Sequence, residues 1–427
     1  METKITEIND CKKLLEATLT YDELIPDFDA AVIEYKKKAN IPGFRKGKAP
    51  LAMIKKMYAD AIEYSALEDI AEKRLKRYII ENKVNMVGTG SLIDLDYKPK
   101  ESLLVKVEFE YLPEFTVENY KNLELTKNTY KFDKSLVDEE IHHILFQRAT
   151  RELDGQVLDT EYEVTIDSQE IDEAGSPIIG RTEKDVVFYV GDKRLDKNLR
   201  DALKDIRENE TRTVDIIDKD EQPIKYQITC KKINKLVYPE LTEEFLKEVT
   251  YDESIKTKED FESYIEKRIR SSYDELSQNE LEKQTVAEVV KLNDVKVPDH
   301  FVKIMLDSQL EEFKEKNKEY FKKFGDTFKE DDFRKERTGE TLFFLKWHLL
   351  RDKISEMEKL EINDDDYLKY AEKFAARYNI PADKLVEIFK KNENENRNIF
   401  ESKIVNFIID NSTVKEVEKD LNEKKEN

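Results

Sequence analysis

Apolar positions along the chain follow two periods, and the period changes in blocks. Between Tyr21 and Ala39, the residues Phe28, Ala31, Val32 and Tyr35 recur at i, i+3, i+4 and i+7, which predicts a helix with one buried face. A helical pattern resumes after Pro50 with Leu51, Ile54 and Met57. A longer one follows on Ile62, Leu67, Ile70, Leu75, Ile79 and Ile80. Leu103, Val105, Val107, Phe109 and Tyr111 instead alternate with polar residues, the pattern of a half-buried antiparallel strand. With a further strand at Glu16 to Thr20, residues 1–112 read as a compact α+β domain.

Residues 113–153 read as an extended arm followed by a helix. That helix is expected to start at Ser135, with Asp138 completing a capping-box variant, and to run to about Arg151. Residues 154–236 are β-rich: Tyr162, Val164 and Ile166 alternate, Val186 to Val190 is apolar, and Asp196 to Ile206 is expected to be the one short helix. From 237 to 415 the periodicity is helical almost throughout, with the densest apolar run at LFFLKWHLL around Trp347. Residues 416–427 are expected to be a disordered tail. The fold class is therefore α+β multidomain: an α+β domain, a β-rich domain and an elongated all-α region.

Composition narrows the function classes. Charged residues make up 40% and hydrophobic ones 39%, with mean hydropathy −0.74, so much surface accompanies each core. No stretch approaches the length of an apolar membrane span, and no signal peptide is visible, so a cytoplasmic location is expected. Cys11 and Cys230 are far apart, which argues against a disulfide framework. His142, His143, His300 and His348 are scattered without metal-ligand spacing, so no metal and no cofactor is expected.

Charge changes the picture at one place. The net charge is −21, yet Lys36, Lys37, Lys38, Arg45, Lys46, Lys48, Lys55 and Lys56 fall within KKKANIPGFRKGKAPLAMIKK without one acidic residue. Pro42, Gly43, Gly47 and Pro50 punctuate a loop there, with Phe44 and Arg45 at its tip. An aromatic, a guanidinium and ammonium groups on one tip suit contact with nucleic acid or acidic protein. The plainer reading is a solvated helix-to-helix turn. The spacing G-x-x-x-G-K-A is one residue short of a phosphate-binding P-loop and lacks the Ser or Thr after its lysine, so no nucleotide site is expected.

The words of this loop carry a resemblance. Gly43 to Pro50, GFRKGKAP, resembles the ribosome-docking loop of the trigger factor family, G-F-R-x-G-x-x-P, at every fixed position. The order strand, helices, strand, strand in residues 1–112 is similar to that family's ribosome-binding domain. Residues 154–236 resemble its FKBP-like prolyl isomerase domain in EYEVTID and in KINKLVYPELTEEF. Residues 237–415, with the helix at 135–151, resemble the arms that cradle nascent polypeptide. The resemblance implies an ATP-independent chaperone with Gly43, Phe44, Arg45, Lys46, Gly47 and Lys48 as ribosome contacts. The implied partners are an exit-tunnel protein, rRNA, and unfolded and nascent polypeptides, with no membrane; a homodimer of the free protein is left open.

The middle domain departs from the family. Prolyl isomerisation has a barrier of about 18–20 kcal/mol and is accelerated by an aromatic-walled pocket that favours the twisted amide. The family builds that pocket from F-x-G-G, D-F, I-P-G-F-E and F-P-x-x-Y segments. This chain has SPIIGR, Asp185-Val186, LDKNLRDAL and IIDKDEQPIKY in their places. Val186, Leu195, Leu199 and Tyr226 remain as candidate wall residues, and whether the domain is an enzyme is left open. An active isomerase with chaperone appendages and a helical scaffold with an anion-binding loop are the rival functions.

Overall fold

The computed structural model describes residues 2–38, 40–41, 44–217, 223–378 and 380–420, apart from the side chains of Glu2, Phe324, Asp326 and 376–378. In chain order these residues form β1 (Glu2–Asn9), β2 (Lys12–Thr20), α1 (Tyr21–Lys38), α2 (Leu51–Glu81), β3 (Met86–Lys98), β4 (Ser102–Tyr111) and β5 (Glu124–Tyr130). Next come α3 (Ser135–Arg148), β6 (Thr150–Asp154), β7 (Tyr162–Ile171), β8 (Pro177–Tyr189), α4 (Lys197–Leu203), β9 (Thr211–Ile217) and β10 (Pro223–Val237). The remainder is α5 (Glu243–Thr250), α6 (Lys258–Leu292), α7 (Asp299–Lys316), α8 (Lys318–Phe324), α9 (Glu330–Glu358), α10 (Asp364–Tyr378), α11 (Ala382–Phe389), α12 (Glu393–Asp410) and β11 (Thr413–Lys419). Two compact units result, residues 1–127 with 279–416 and residues 128–278 with 417–427.

In the first unit, β1, β2, β4 and β3 lie side by side in that order, all antiparallel. Register sets Leu15 opposite Val107, Ala17 opposite Val105 and Leu19 opposite Leu103, so the alternation of both strands places one apolar face. Leu24 and Phe28 of α1 and Ala66, Leu67, Ile70 and Leu75 of α2 close over that face. Each of the Leu, Ile and Phe side chains among them contributes about 1.5–3 kcal/mol by leaving water. The two helices expected after Pro50 are one continuous helix. No Gly or Pro interrupts Leu51 to Glu81, and the buried series Ile54, Ile62, Ala66, Ile70 keeps its period throughout.

The helical part of this unit has its own core, in which Trp347, Leu350 and Ile354 of α9 meet Ile404, Val405 and Ile408 of α12 and Val117, Tyr120 and Leu125 of the arm. Helix α7 begins after Pro298, which has no side chain able to cap it. The cap comes from strand β4 instead: Glu110 Oε2 accepts the His300 backbone N–H at 2.9 Å. The His300 ring lies where a Cβ on Gly88 would stand, 2.7 Å away, and Gly88 has φ +69°. Only glycine fits there on both counts. Lys296 reaches Asp10 at 3.5 Å beside the same junction.

In the second unit, β6, β10, β7 and β8 form the sheet, and β9 pairs β10 on the edge that β6 also uses. Tyr162, Val164, Ile166, Ile228 and Cys230 face Leu199, Leu203 and Ile206. Asp196 caps α4 by accepting the Asn198 and Leu199 amides. A separate cluster joins Val137 and Ile141 of α3 to Leu246 of α5 and Phe261 and Ile265 of α6. The expected capping box at Ser135 does not form. Lys134 occupies the cap position without a side-chain bond, and Asp133, one residue earlier, accepts the Ser135 amide at 2.9 Å. The helix ends at Arg148 because Thr150 to Asp154 are drawn into β6.

Two further expectations are corrected. The tail expected from 416 is ordered as far as Lys419 in β11, which pairs β5, so the region up to 415 is not purely helical. Only 421–427 of that tail lie outside the described residues. The expected helical segment 237–415 is also shared between the two units, because α5 and most of α6 belong with 128–278.

Candidate functional site

The basic loop joins α1 to α2, and its two ends are held from below. Ile41 and Ala49 are buried with Val32, Ile54 and Ile62 in a small core of their own, against which Tyr35 and Tyr58 pack. Between these feet the chain turns twice. Phe44 N–H donates to Ile41 O at 3.1 Å and Lys48 N–H to Arg45 O at 2.9 Å. The second turn needs a left-handed residue at its third position, which Gly47 supplies with φ +79°. Pro50 then sets the extended conformation from which α2 starts, its carbonyl accepting from Met53 and Ile54.

The tip that results is exposed and cationic. Phe44 is 37% exposed, and Arg45, Lys46 and Lys48 are exposed beside it. Elsewhere in the run, Lys38 is paired with Glu34 at 2.6 Å and Lys55 with Asp29 at 2.5 Å. Among the described residues Arg45, Lys46 and Lys48 make no ion pair, so the charge of the tip is uncompensated. Gly43 and Pro42, expected in the same site, lie outside the described residues. The burial of Ile41 and Ala49 is the part that sequence reasoning missed. Its signal was available, since each is an apolar residue directly before a proline, flanking the polar tip on both sides.

The bacterial trigger factor N-terminal family model matches residues 1–144, and the trigger factor C-terminal model matches residues 257–410. Together they cover well over half of the chain. The chain belongs to the trigger factor family. It is 28% identical over 382 residues to trigger factor of Chloroherpeton thalassium, covering 88% of each chain. It is 26% identical to that of Salinibacter ruber, covering 96% of this chain and 93% of the relative. Against trigger factor of Pelodictyon phaeoclathratiforme the identity is 26% with 99% of each covered.

A trigger factor is a ribosome-associated chaperone, and a bare scaffold is not favoured by matches at both ends of the chain. In the helices, a trigger factor needs apolar surface that folding leaves open. Phe343 and Phe344 of the LFFLKWHLL run are each 41% exposed, whereas Trp347 and Leu350 of the same run are buried. Phe313, Phe321, Phe328 and Phe333, from α7, α8, α9 and the turn before it, gather with ring centroids 4.9–6.0 Å apart. All four are only half-buried, and Tyr320 beside them is exposed.

In the middle of this trigger factor, Leu195, Leu199 and Tyr226 join the core beneath α4, with Phe188 and Ile216 against it. Leu199 is buried, and Val186 is half-buried opposite Ile166 on β7, outside that cluster. The histidines act singly: the His348 ring lies tilted against Phe344 with centroids 4.1 Å apart, and burial lowers its pKa. Among the described residues no group of His, Cys, Asp or Glu is placed to hold a metal ion, and no helix is long and apolar enough to cross a membrane. The candidate wall keeps Tyr226, but Val186, Leu195 and Leu199 stand where the family places aromatic segments, and aliphatic side chains grip a prolyl ring less specifically than aromatic ones. Isomerisation of a short proline peptide should therefore run near the uncatalysed rate, and efficient turnover by the protein would show that the wall is sufficient as it stands.

Proposed function

We propose that this trigger factor docks at the ribosomal exit tunnel through Phe44, Arg45, Lys46 and Lys48, in the cytoplasm and without ATP. The observation that carries the reading is the acid-free tip raised on the buried feet Ile41 and Ala49. Phe44 meets an apolar spot on a ribosomal protein, while the three cations meet acidic side chains or rRNA phosphates. Unfolded chains then meet half-exposed aromatics such as Phe343 and Phe344. Each contact is weak, and the effective concentration at the tunnel supplies the rest. The tip also complements the acidic remainder of a second copy, so homodimerisation of the free protein competes with docking.

Salt tests the phosphate part. Each phosphate contact contributes a log–log slope of roughly −0.7 to −0.9. Three contacts then give between about −2 and −3 for ribosome co-sedimentation against salt concentration. A flat dependence would leave an apolar protein contact as the whole anchor and remove rRNA from the proposal.

A further inference from the structure

The middle sheet and α3 belong to the same unit but keep separate cores. Among the described residues, the apolar cluster beneath α4 shares no member with the cluster that joins α3 to α5 and α6. The chain passes between the two twice, at Ala149 from α3 into β6 and again from β10 to α5. Bodies with separate cores keep one mutual position only where contacts besides such crossings fix it.

A half-exposed polar cluster supplies those contacts. Tyr189, the last residue of β8, donates its hydroxyl to Glu161 Oε2 at 2.9 Å. Tyr238, the first residue of the second crossing, donates to the same oxygen. His142 of α3 approaches from the other side, with Nε2 4.0 Å from that oxygen and 3.4 and 3.5 Å from the two hydroxyls. One turn further along α3, the Phe146 ring lies 4.8 Å from that of Tyr189. One turn earlier, Glu139 pairs with Lys193 at 3.1 Å. Glu139, His142 and Phe146 thus share one face of α3, and that face meets the sheet.

Tyr189 reaches Glu161 by lying back over Gly191. A Cβ on Gly191 would stand 2.5 Å from the ring carbon and the hydroxyl oxygen of Tyr189, so any side chain there would push the ring away. Hydrogen bonds this accessible to water are worth little net and exchange readily, whereas the two apolar cores do not.

We infer that Glu161, Tyr189 and Tyr238 form a latch that holds the middle sheet on the His142 face of α3. Its release lets the sheet swing as one body on the two crossings. Opening leaves both cores whole, because no apolar residue is common to them. The middle domain therefore has a latched and a released position, and three side chains set the balance between them.

The test is a distance measured in the full-length chain. Nitroxides on Lys267→Cys of α6 and Thr213→Cys of β9, both exposed positions, report it by double electron–electron resonance. Cys11 and Cys230 are buried and stay unlabelled. The parent should give one narrow distribution. Tyr189→Phe/Tyr238→Phe, which keeps both rings and removes both hydroxyls, should widen it at least twofold. Gly191→Ala should do the same without altering any latch residue, since the free end of the Tyr189 ring yields to the new methyl group. Hydrogen exchange of β7 and β10 should stay within twofold of the parent in both variants. A distribution that remains narrow in either variant overturns the inference, as does a parent distribution already as wide as theirs. Widening together with lost protection in β7 and β10 would make the cluster part of the sheet's own fold and overturn it as well.

Discussion

Replacing Phe44, Arg45 and Lys46 together with alanine is expected to abolish co-sedimentation with ribosomes while leaving thermal unfolding unchanged. The two halves of this expectation rest on different atoms. Stability of the loop resides in Ile41, Ala49, Ile54 and Ile62, none of which is altered. The three replaced side chains are exposed and outside that core, where substitutions usually shift stability by no more than about 0.5 kcal/mol. The proposed docking places binding in the tip, and anchor residues of aromatic and arginine type commonly cost about 2 kcal/mol or more each when truncated. Two such losses weaken binding by about a thousandfold, beyond what a sedimentation assay retains. Undiminished co-sedimentation of the folded triple variant would move the anchor elsewhere.

Trp347→Ala should lower the unfolding free energy by about 3–5 kcal/mol, measured by circular dichroism in denaturant. Trp347 is buried among Leu350, Ile354, Ile404 and Ile408, so truncation leaves a cavity bounded by two helices. Its indole N–H also donates to Glu401 Oε1 at 3.0 Å. Glu401 lies 3.9 Å from Arg351, a largely buried guanidinium that Asp352 pairs at 2.7 Å and that rests over the Phe400 ring. Removing the indole therefore unpicks one end of a partly buried charged network as well as a packed ring. Trp347→Phe should fall between the two, since it keeps most of the packing and loses the donor. A loss below about 1 kcal/mol for the alanine variant would mean that α9 and α12 close up over the gap.

Much of the fold could be read from local periodicity, and the exceptions share a cause. The alternation of Leu103 to Tyr111 and the stripe of Phe28 to Tyr35 are short-range patterns and appear where expected. Strand β11 was not legible, because TVKEVEK is mostly charged and its partner β5 lies far away in sequence. The phenylalanine cluster was hidden likewise: Phe313, Phe321, Phe328 and Phe333 sit on separate elements, so no single period brings them together. The expected cap at Ser135 failed for a subtler reason. A neighbouring carboxylate, Asp133, competes for the same amide and reaches it. At the candidate site, the chemistry of the tip was legible from its letters. The depth at which its feet are buried was read less easily, because the apolar residue before each proline hints at it and only the contacts of Ile41 and Ala49 with α1 and α2 fix it.

The bond from Glu110 to the amide of His300 spans 190 residues of chain. During synthesis at about 5–20 residues per second, that interval corresponds to roughly 10–40 s. Through that interval the sheet of β1 to β4 and its two helices can already be complete, since their core uses only residues up to Phe109. The Glu110 carboxylate and the hollow over Gly88 meanwhile face solvent, waiting for α7. The part of the chain that carries the proposed anchor can thus be complete before the rest of the protein exists. Under the proposed docking, the newly made molecule is then able to hold the ribosome that is still making it.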